Sequence, residues 1–530
     1  MLGSILALIA MTEVEVFVTS PDLRYKITKM ASVYAEEKEA APTSIVVDKT
    51  KRYQTIDGFG ASITDGAAWL FSEKLTDQQL NDTFDMLFSR EKGIALSFLR
   101  QPIGSSDLST KFFSYDDLCN QTTVSCTTPE GVDDKDLKRF TIAHDRQYII
   151  PMVKKAMSLN PDIKVMMTPW SPPGWMKSNR NMAGFDNVNK NETILLPEYY
   201  DAHANYLRKT IEAYQAEGIP IYAVTMQNEP MWPEGSYGGM HVDSKDQALY
   251  IKKFLYPTLV KFNLTATKIM VNDYNWDFAW YTEDVYADKE TYNVVAGTSW
   301  HHYSGVPTAM SDIKTKYPDK DNWVTEASSF KNVNGETTME MVSVELINVM
   351  RNHARSFVKW GMALDQNHQP HTGGCPDCVG VVLIDGTDPA DIVVKPNWDY
   401  YALGHASKFL YKDAVRIESN ENGLVHNVAF QNANGGFVLY TFNSDKVEQK
   451  ITVQIQKKSF EAVLVPGAIT TFVWNEEKGK MSTGALVGII CGSIVAVAVI
   501  IILVICGIKM KWCRKQGEET KKFIDEDNHE

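Results

Sequence analysis

The chain has 530 residues, 44% of them hydrophobic and 22% charged, which suits two folded units with a large core and excludes a disordered or fibrous protein. Acidic side chains outnumber basic ones 66 to 53, so nucleic acid is excluded as the main partner, because phosphate recognition draws on clustered Lys and Arg. Seven cysteines are too few for a dense disulfide framework.

In chain order, residues 1–11 hold the apolar run Leu2 to Met11, read as the hydrophobic region of a signal segment. Thr12–Thr19 and Ser44–Asp48 alternate or are β-branched, and residues 12–50 are expected to add strands to a β-sandwich. Residues 51–410 alternate short β-branched runs with helical stretches. The strands expected here are Ile94–Gln101, Lys164–Thr168, Ile221–Met226, Lys268–Asn272, Val294–Ser299, Asn322–Thr325 and Phe357–Trp360. Glu198–Glu217 reads as a helix opened by Pro197, with Ala204, Leu207, Ile211 and Tyr214 on one face and Gly218 at its end. This is the pattern of an α/β protein, a (β/α)8 TIM barrel. Residues 411–475 change to strands parted by turns, with Asn434-Gly435 as a hairpin signal, and form the main part of the sandwich.

A polar linker leads to residues 484–508, which carry no charged side chain. About 25 residues at ~1.5 Å each exceed the ~30 Å hydrocarbon core, so one C-terminal transmembrane helix is expected. Lys509, Lys511, Arg514 and Lys515 follow it. The positive-inside rule then makes residues 509–530 a cytoplasmic tail and the chain a single-pass type I membrane protein. The catalytic part would be lumenal or extracellular, in the lysosome, another endomembrane or the plasma membrane. Sequons at Asn81, Asn120, Asn191 and Asn263 agree with that side and are candidate glycosylation sites.

Cys119 and Cys126 are close in sequence, and Cys375-Pro-Asp-Cys378 is a C-x-x-C. Two local disulfides are the preferred reading. A redox pair or half a zinc site would share that spacing, but no second C-x-x-C and no strand-helix redox pattern accompanies it.

The strand from Ile221 ends in Asn228-Glu229-Pro230, and the strand from Asn322 ends in Glu326. Barrels place reactive groups at the C-terminal ends of their strands, so both glutamates are expected to face one site. Such a pair suits glycoside hydrolysis: one carboxylic acid protonates the leaving oxygen, and a second carboxylate about 5 Å away attacks the anomeric carbon. His301 and His302 are adjacent, and neighbouring side chains on a strand face opposite ways, so a metal is not expected.

Asn228-Glu229-Pro230, Thr325-Glu326-Ala327, Asp57-Gly58-Phe59-Gly60-Ala61, Pro169 to Lys177 and Leu403 to Phe409 together resemble glycoside hydrolase family 30, in particular its lysosomal glucosylceramidases, from about residue 50 to 475. The resemblance implies that Glu229 is the acid/base, Glu326 the nucleophile and Asn228 a donor to the sugar 2-hydroxyl. It implies that Arg100 positions or neutralises the nucleophile and that Asp107 accepts from outer sugar hydroxyls. Trp170 and Trp360 match sugar-stacking tryptophans, and Tyr303 a partner of the nucleophile. Two positions depart from the pattern: His302 replaces a tryptophan, and Gly361 replaces an asparagine.

The expectation is a retaining exo-β-glucosidase acting on glucosylceramide or a related β-glucoside by double displacement, without a cofactor. No activator protein is legible. Two alternatives are weighed: another family 30 glycosidase, a β-1,6-glucanase or xylanase, and a non-catalytic glycan-binding surface protein. The proximity of Glu326 should raise the pKa of Glu229 and favour weakly acidic operation.

Overall fold

The computed structural model describes residues 11–38, 44–118, 127–185, 193–387, 391–475, 506–512 and 514–515. Residues 11–475 belong to one compact unit, and those from 506 onward to a second. Eight parallel strands close the barrel: β1 (Gly58–Ala61), β2 (Phe98–Ile103), β3 (Lys164–Pro169), β4 (Ile221–Val224), β5 (Lys268–Asn275), β6 (Gly297–His301), β7 (Asp321–Glu326) and β8 (Ala354–Lys359). Each pairs with its chain neighbours, and β8 returns to β1.

Seven of these overlap the expected strands. The eighth, β1, went unrecognised because it is four residues long with two glycines, against ordinary strand propensity. Its glycines have a packing reason. A Cβ on Gly60 would stand 1.7 Å from the Phe98 carbonyl oxygen, so a side chain there would force β1 and β2 apart. The expected helix begins as a 3-10 turn at Pro197–Tyr199 and continues as Tyr200–Ala216, burying Ala204, Leu207, Ile211 and Tyr214.

Strand alternation builds the barrel in layers. Phe98, Met166, Ala223, Met270, Trp323 and Val358 form an apolar inner cluster. Below it, at the N-terminal end, Asp57 gathers five donors: Lys164 Nζ at 2.5 Å, Tyr222 Oη at 2.6 Å, Trp323 Nε1 at 2.7 Å and Arg355 twice, at 2.8 and 3.1 Å. Burial would raise the Asp57 pKa, but Arg355 and Lys164 outweigh it and hold the carboxyl well below its usual range.

The sandwich is a ten-stranded sheet drawn from both ends of the compact unit. Thr12–Thr19 runs antiparallel to Ile469–Asn475, and Ile45–Thr55 lies between Val415–Ser419 and Gln449–Ile455. That last strand continues past residue 50, so the sandwich reaches Thr55 before the barrel opens at Gly58. Helix Trp398–Ser407 joins the two parts. Its buried His405 hydrogen-bonds Thr19 and Thr471 of the sandwich, so the Leu403 to Phe409 motif belongs to the scaffold.

Among the described residues no helix is long and apolar enough to cross a membrane, and residues 484–505 of the expected span lie outside them. The transmembrane helix therefore has no support from the described structure. Cys119, Cys126, Asn120 and Asn191 also lie outside the described residues. Asn81 and Asn263 are exposed. Cys375 and Cys378 form a disulfide, which settles that C-x-x-C against a zinc half-site.

Candidate active site

Two residues above the apolar layer, the same strands carry Arg100, Thr168, Thr225, Thr325 and Trp360 (just past the end of β8) toward the C-terminal mouth of the barrel. The fifth strand needs an extra residue to join them. Asn272 and Asp273 both have positive φ, 70° and 66°, and the pairing of β6 with β5 skips Asp273, passing from Ser299↔Asn272 to Trp300↔Tyr274. This bulge aims Asp273 inward. Its carboxylate accepts from Arg100 Nη2 at 3.0 Å, Thr168 Oγ1 at 3.0 Å, Thr225 Oγ1 at 3.2 Å and Thr325 Oγ1 at 2.8 Å, with His301 Nε2 at 3.3 Å.

Upon this layer stand the two glutamates. Arg100 Nη1 donates to Glu326 Oε2 at 2.6 Å, Arg100 Nη2 to Asn228 Oδ1 at 2.6 Å, and Tyr303 Oη to Glu326 Oε1 at 2.8 Å. Because Arg100 uses the Asn228 carbonyl, the Asn228 amide NH2 is left to donate. His301 Nδ1 lies 3.1 Å from Glu229 Oε1. Glu229 has φ +46°, a region that favours glycine, and its N–H donates to the Asp273 carbonyl at 3.1 Å. One ligand atom each of Glu229, His301 and Glu326 lies within 4.8 Å of the others.

Burial, assisted by the charge of Glu326, raises the Glu229 pKa against the opposing contact of His301. Burial would lower the His301 pKa, but Glu326, Asp273 and Glu229 raise it to about 9, so the ring is an imidazolium at neutral pH. Asp273, for which burial is outweighed by Arg100 and His301, is held well below its usual range. Arg100 and His301 thus set two cations among the carboxyl groups of Asp273, Glu326 and Glu229. Glu229, His301 and Glu326 are also the trio that could hold a cation, but guanidinium and imidazolium already occupy that electrostatic role.

A cavity of about 530 Å³ opens above, lined by Asp107, Trp170, Asn228, Glu229, Tyr303, Glu326 and Trp360, with Trp232, Tyr237, Tyr274, Asn275, Phe330 and Cys375 also on its wall. The structure thus brings all the expected site residues together, Arg100 beneath and the rest on the wall. Trp170 and Trp360 stack on each other with centroids 4.8 Å apart, so one face of each ring is used within the protein. Trp360 Nε1 donates to Asp107 Oδ2 at 3.2 Å, while Asp107 Oδ1 is buried without a hydrogen bond. Burial, with Glu326 nearby, raises the Asp107 pKa to about 7. The loop bearing the disulfide closes this end. A Cβ on Gly374 would lie 2.5 Å from the Asp107 Cβ and 2.7 Å from the Tyr237 ring, so this close approach requires glycine.

Two site residues escaped the sequence reading: Asp273 as the hub, and His301 as the partner of Glu229. The signal for Asp273 was an acidic residue just past an expected strand end, the same position that revealed the glutamates. Lys177, by contrast, is buried scaffold, donating to the carbonyls of Met182, Ala183 and Gly239 at 2.8, 2.6 and 2.6 Å.

Residues 56–410 match the profile of the glycosyl hydrolase family 30 TIM-barrel domain, and residues 413–472 that of the family 30 β-sandwich domain. The chain is 28% identical over 458 residues to putative glucosylceramidase 4 of Caenorhabditis elegans, covering 82% of this chain and 84% of that one. It is 28% identical over 464 residues to an endo-1,6-β-D-glucanase of Neurospora crassa, covering 84% and 91%. The solved structure of the endo-β1,6-glucanase BT3312 superposes with a TM-score of 0.76 at 27% identity, covering 88% of this chain and all of that one. With both domains matched in order over most of its length, this chain belongs to glycosyl hydrolase family 30 and is a glycosidase.

Proposed function

We propose that the chain is a retaining β-glucosidase that hydrolyses glucosylceramide or a similar lipid-linked β-glucoside. The observation carrying the mechanism is the approach of Glu229 and Glu326 oxygens to within 4.8 Å. Retaining pairs stand ≈ 5–5.5 Å apart, whereas inverting pairs need ≈ 6.5–9.5 Å to admit water between them. Glu326, oriented by Arg100 and Tyr303, attacks the anomeric carbon while Glu229 gives its proton to the leaving oxygen. Glu229 then takes a proton from water, which releases the sugar from Glu326. Asn228 donates to the sugar 2-hydroxyl, and Asp107 binds a hydroxyl at the closed end.

Closure by Gly374, Asp107 and Tyr237 supports an exo enzyme holding one terminal sugar. The similarity to a glucosylceramidase supports the lipid aglycone. The charge-free run 484–508 and its basic flank support a membrane tether that holds the barrel on the lumenal or extracellular side. A mechanism-based β-glucoside inhibitor should label Glu326, detected by peptide mass spectrometry. Labelling at another residue would overturn the assignment. The endo-1,6-glucanase reading is carried by the relatives of that activity. Release of glucose from glucosylceramide, against oligosaccharides from β-1,6-glucan, decides between them.

A further inference from the structure

A second cavity of about 510 Å³ lies beside the sugar cavity and plays no part in the chemistry above. Its lining includes Trp276, Pro307, Phe330, Val333, Met341 and Val344. The two cavities share one lining residue and have two further pairs of lining residues that are neighbours in the chain. Phe330 lines both, Trp276 directly follows Asn275 of the sugar cavity, and His302 directly precedes Tyr303.

Several polar atoms along this boundary pair with one another, while Glu345 Oε1 is left without a hydrogen bond. Tyr303 Oη lies 3.0 Å from Ser328 Oγ, the Ser328 N–H donates to His302 Nε2 at 2.9 Å, and His302 Nδ1 lies 2.7 Å from Glu345 Oε1. The tautomer follows: Nε2 accepts, so Nδ1 carries the proton. The second cavity itself presents mainly apolar surface, with Glu340 and Glu345 among the polar side chains at its wall. Met341 lines the second cavity and remains 54% exposed, although a methionine on the helix Gly335–Arg351 could have been buried. Uncovered apolar surface of this kind marks a place for an apolar partner.

The direction is set by the other end of the sugar site, where Gly374 packs on Asp107 and Tyr237. A sugar held there leaves its aglycone the rest of the wall, which includes Tyr303 and Phe330. We propose that the second cavity takes the alkyl tail of the aglycone, of about eight carbons or more. This inference rests on the β-glucosidase reading, and it assigns the lipid specificity of that reading to a defined place.

The test measures binding of butyl, octyl and dodecyl β-glucosides to the full chain carrying Glu326→Gln, by calorimetry below their critical micelle concentrations. Full burial of one methylene strengthens binding about fourfold, so even a partly open groove should favour dodecyl over butyl at least tenfold. Met341→Lys, at an exposed position that does not threaten folding, should reduce that preference about tenfold, and Val344→Gln should reduce it as well. Equal affinity for the three glucosides would overturn the proposal. So would a preference for the long chain that both substitutions leave intact, because the tail would then lie elsewhere. Failure of the glucosidase reading looks different: the wild-type chain would leave every β-glucoside intact, while calorimetry still reports whether an alkyl chain uses this cavity.

Discussion

The barrel holds a buried carboxylate cluster at each end, and the two are built for opposite purposes. At the N-terminal end Asp57 has five donors from Lys164, Arg355, Tyr222 and Trp323, and its charge is matched. At the C-terminal end half-buried Glu229 and buried Asp107 stand beside Glu326 with fewer donors, and both have raised pKa values. The same strands supply both clusters, with an apolar layer between them. The difference shows where this fold places stability and where it accepts cost: reactivity needs a proton held where solvent would remove it, while the N-terminal end needs only a satisfied charge.

Substitutions should separate the two ends, and the largest effect belongs to the nucleophile. Glu326→Gln should lower kcat on the order of 10⁴-fold or more, as loss of a covalent nucleophile does, while the thermal midpoint falls less than in an Asp57 variant because Asp273 still pairs with Arg100. A drop in midpoint as large as that of an Asp57 variant would break the division of labour. Asp57→Asn should do the reverse. Removing the charge opposite half-buried Arg355 and Lys164, with Asp321 still paired to Arg355, costs about 1.5–3 kcal/mol, read as a lower denaturation midpoint, while kcat per folded molecule holds.

A smaller effect is expected from Tyr303→Phe. It removes one hydrogen bond to the Glu326 carboxylate, worth about 1.5–3 kcal/mol. The predicted loss is about 10- to 100-fold in kcat/KM, with an unchanged midpoint. The finest test uses pH, because the two ends respond in opposite directions. The folded Asp57 pKa lies below the ordinary 3.8, so its stabilisation is present above that value and is lost as the pH falls below it. The folded Asp107 pKa is about 7 against the same 3.8, so the native state holds the extra proton, and its contribution to stability falls as pH rises from about 4 to 7. Asp107→Asn should flatten the midpoint-against-pH curve on the neutral side, and Asp57→Asn on the acid side. Activity should fall on the alkaline side as Glu229 loses its proton, since that proton is the one transferred.

Much of this was legible before any coordinates. Short β-branched runs followed by Glu229 and Glu326 announced barrel strands with acids near their C-terminal ends, because strand propensity and strand-end chemistry are local properties. The sandwich strand at Thr12–Thr19 was read with the boundaries the structure shows. What stayed hidden depended on contacts distant in sequence. The first strand looks like a loop until Gly60 is seen against the Phe98 carbonyl.

The amino-acid sequence by itself determined the strand-and-helix order, the family, the pair of glutamates and most of their surrounding shell, since each is written in a short run of neighbouring residues. Only the tertiary structure decided that Asp273 is the hub beneath them, because a two-residue left-handed bulge turns it inward and no propensity encodes that bulge. It also decided that His301 is charged, since the charge comes from Glu326, Asp273 and Glu229 on three other strands or strand ends. And it placed an apolar cavity beside the sugar site, whose walls meet only when the loops after β5, β6 and β7 pack against one helix.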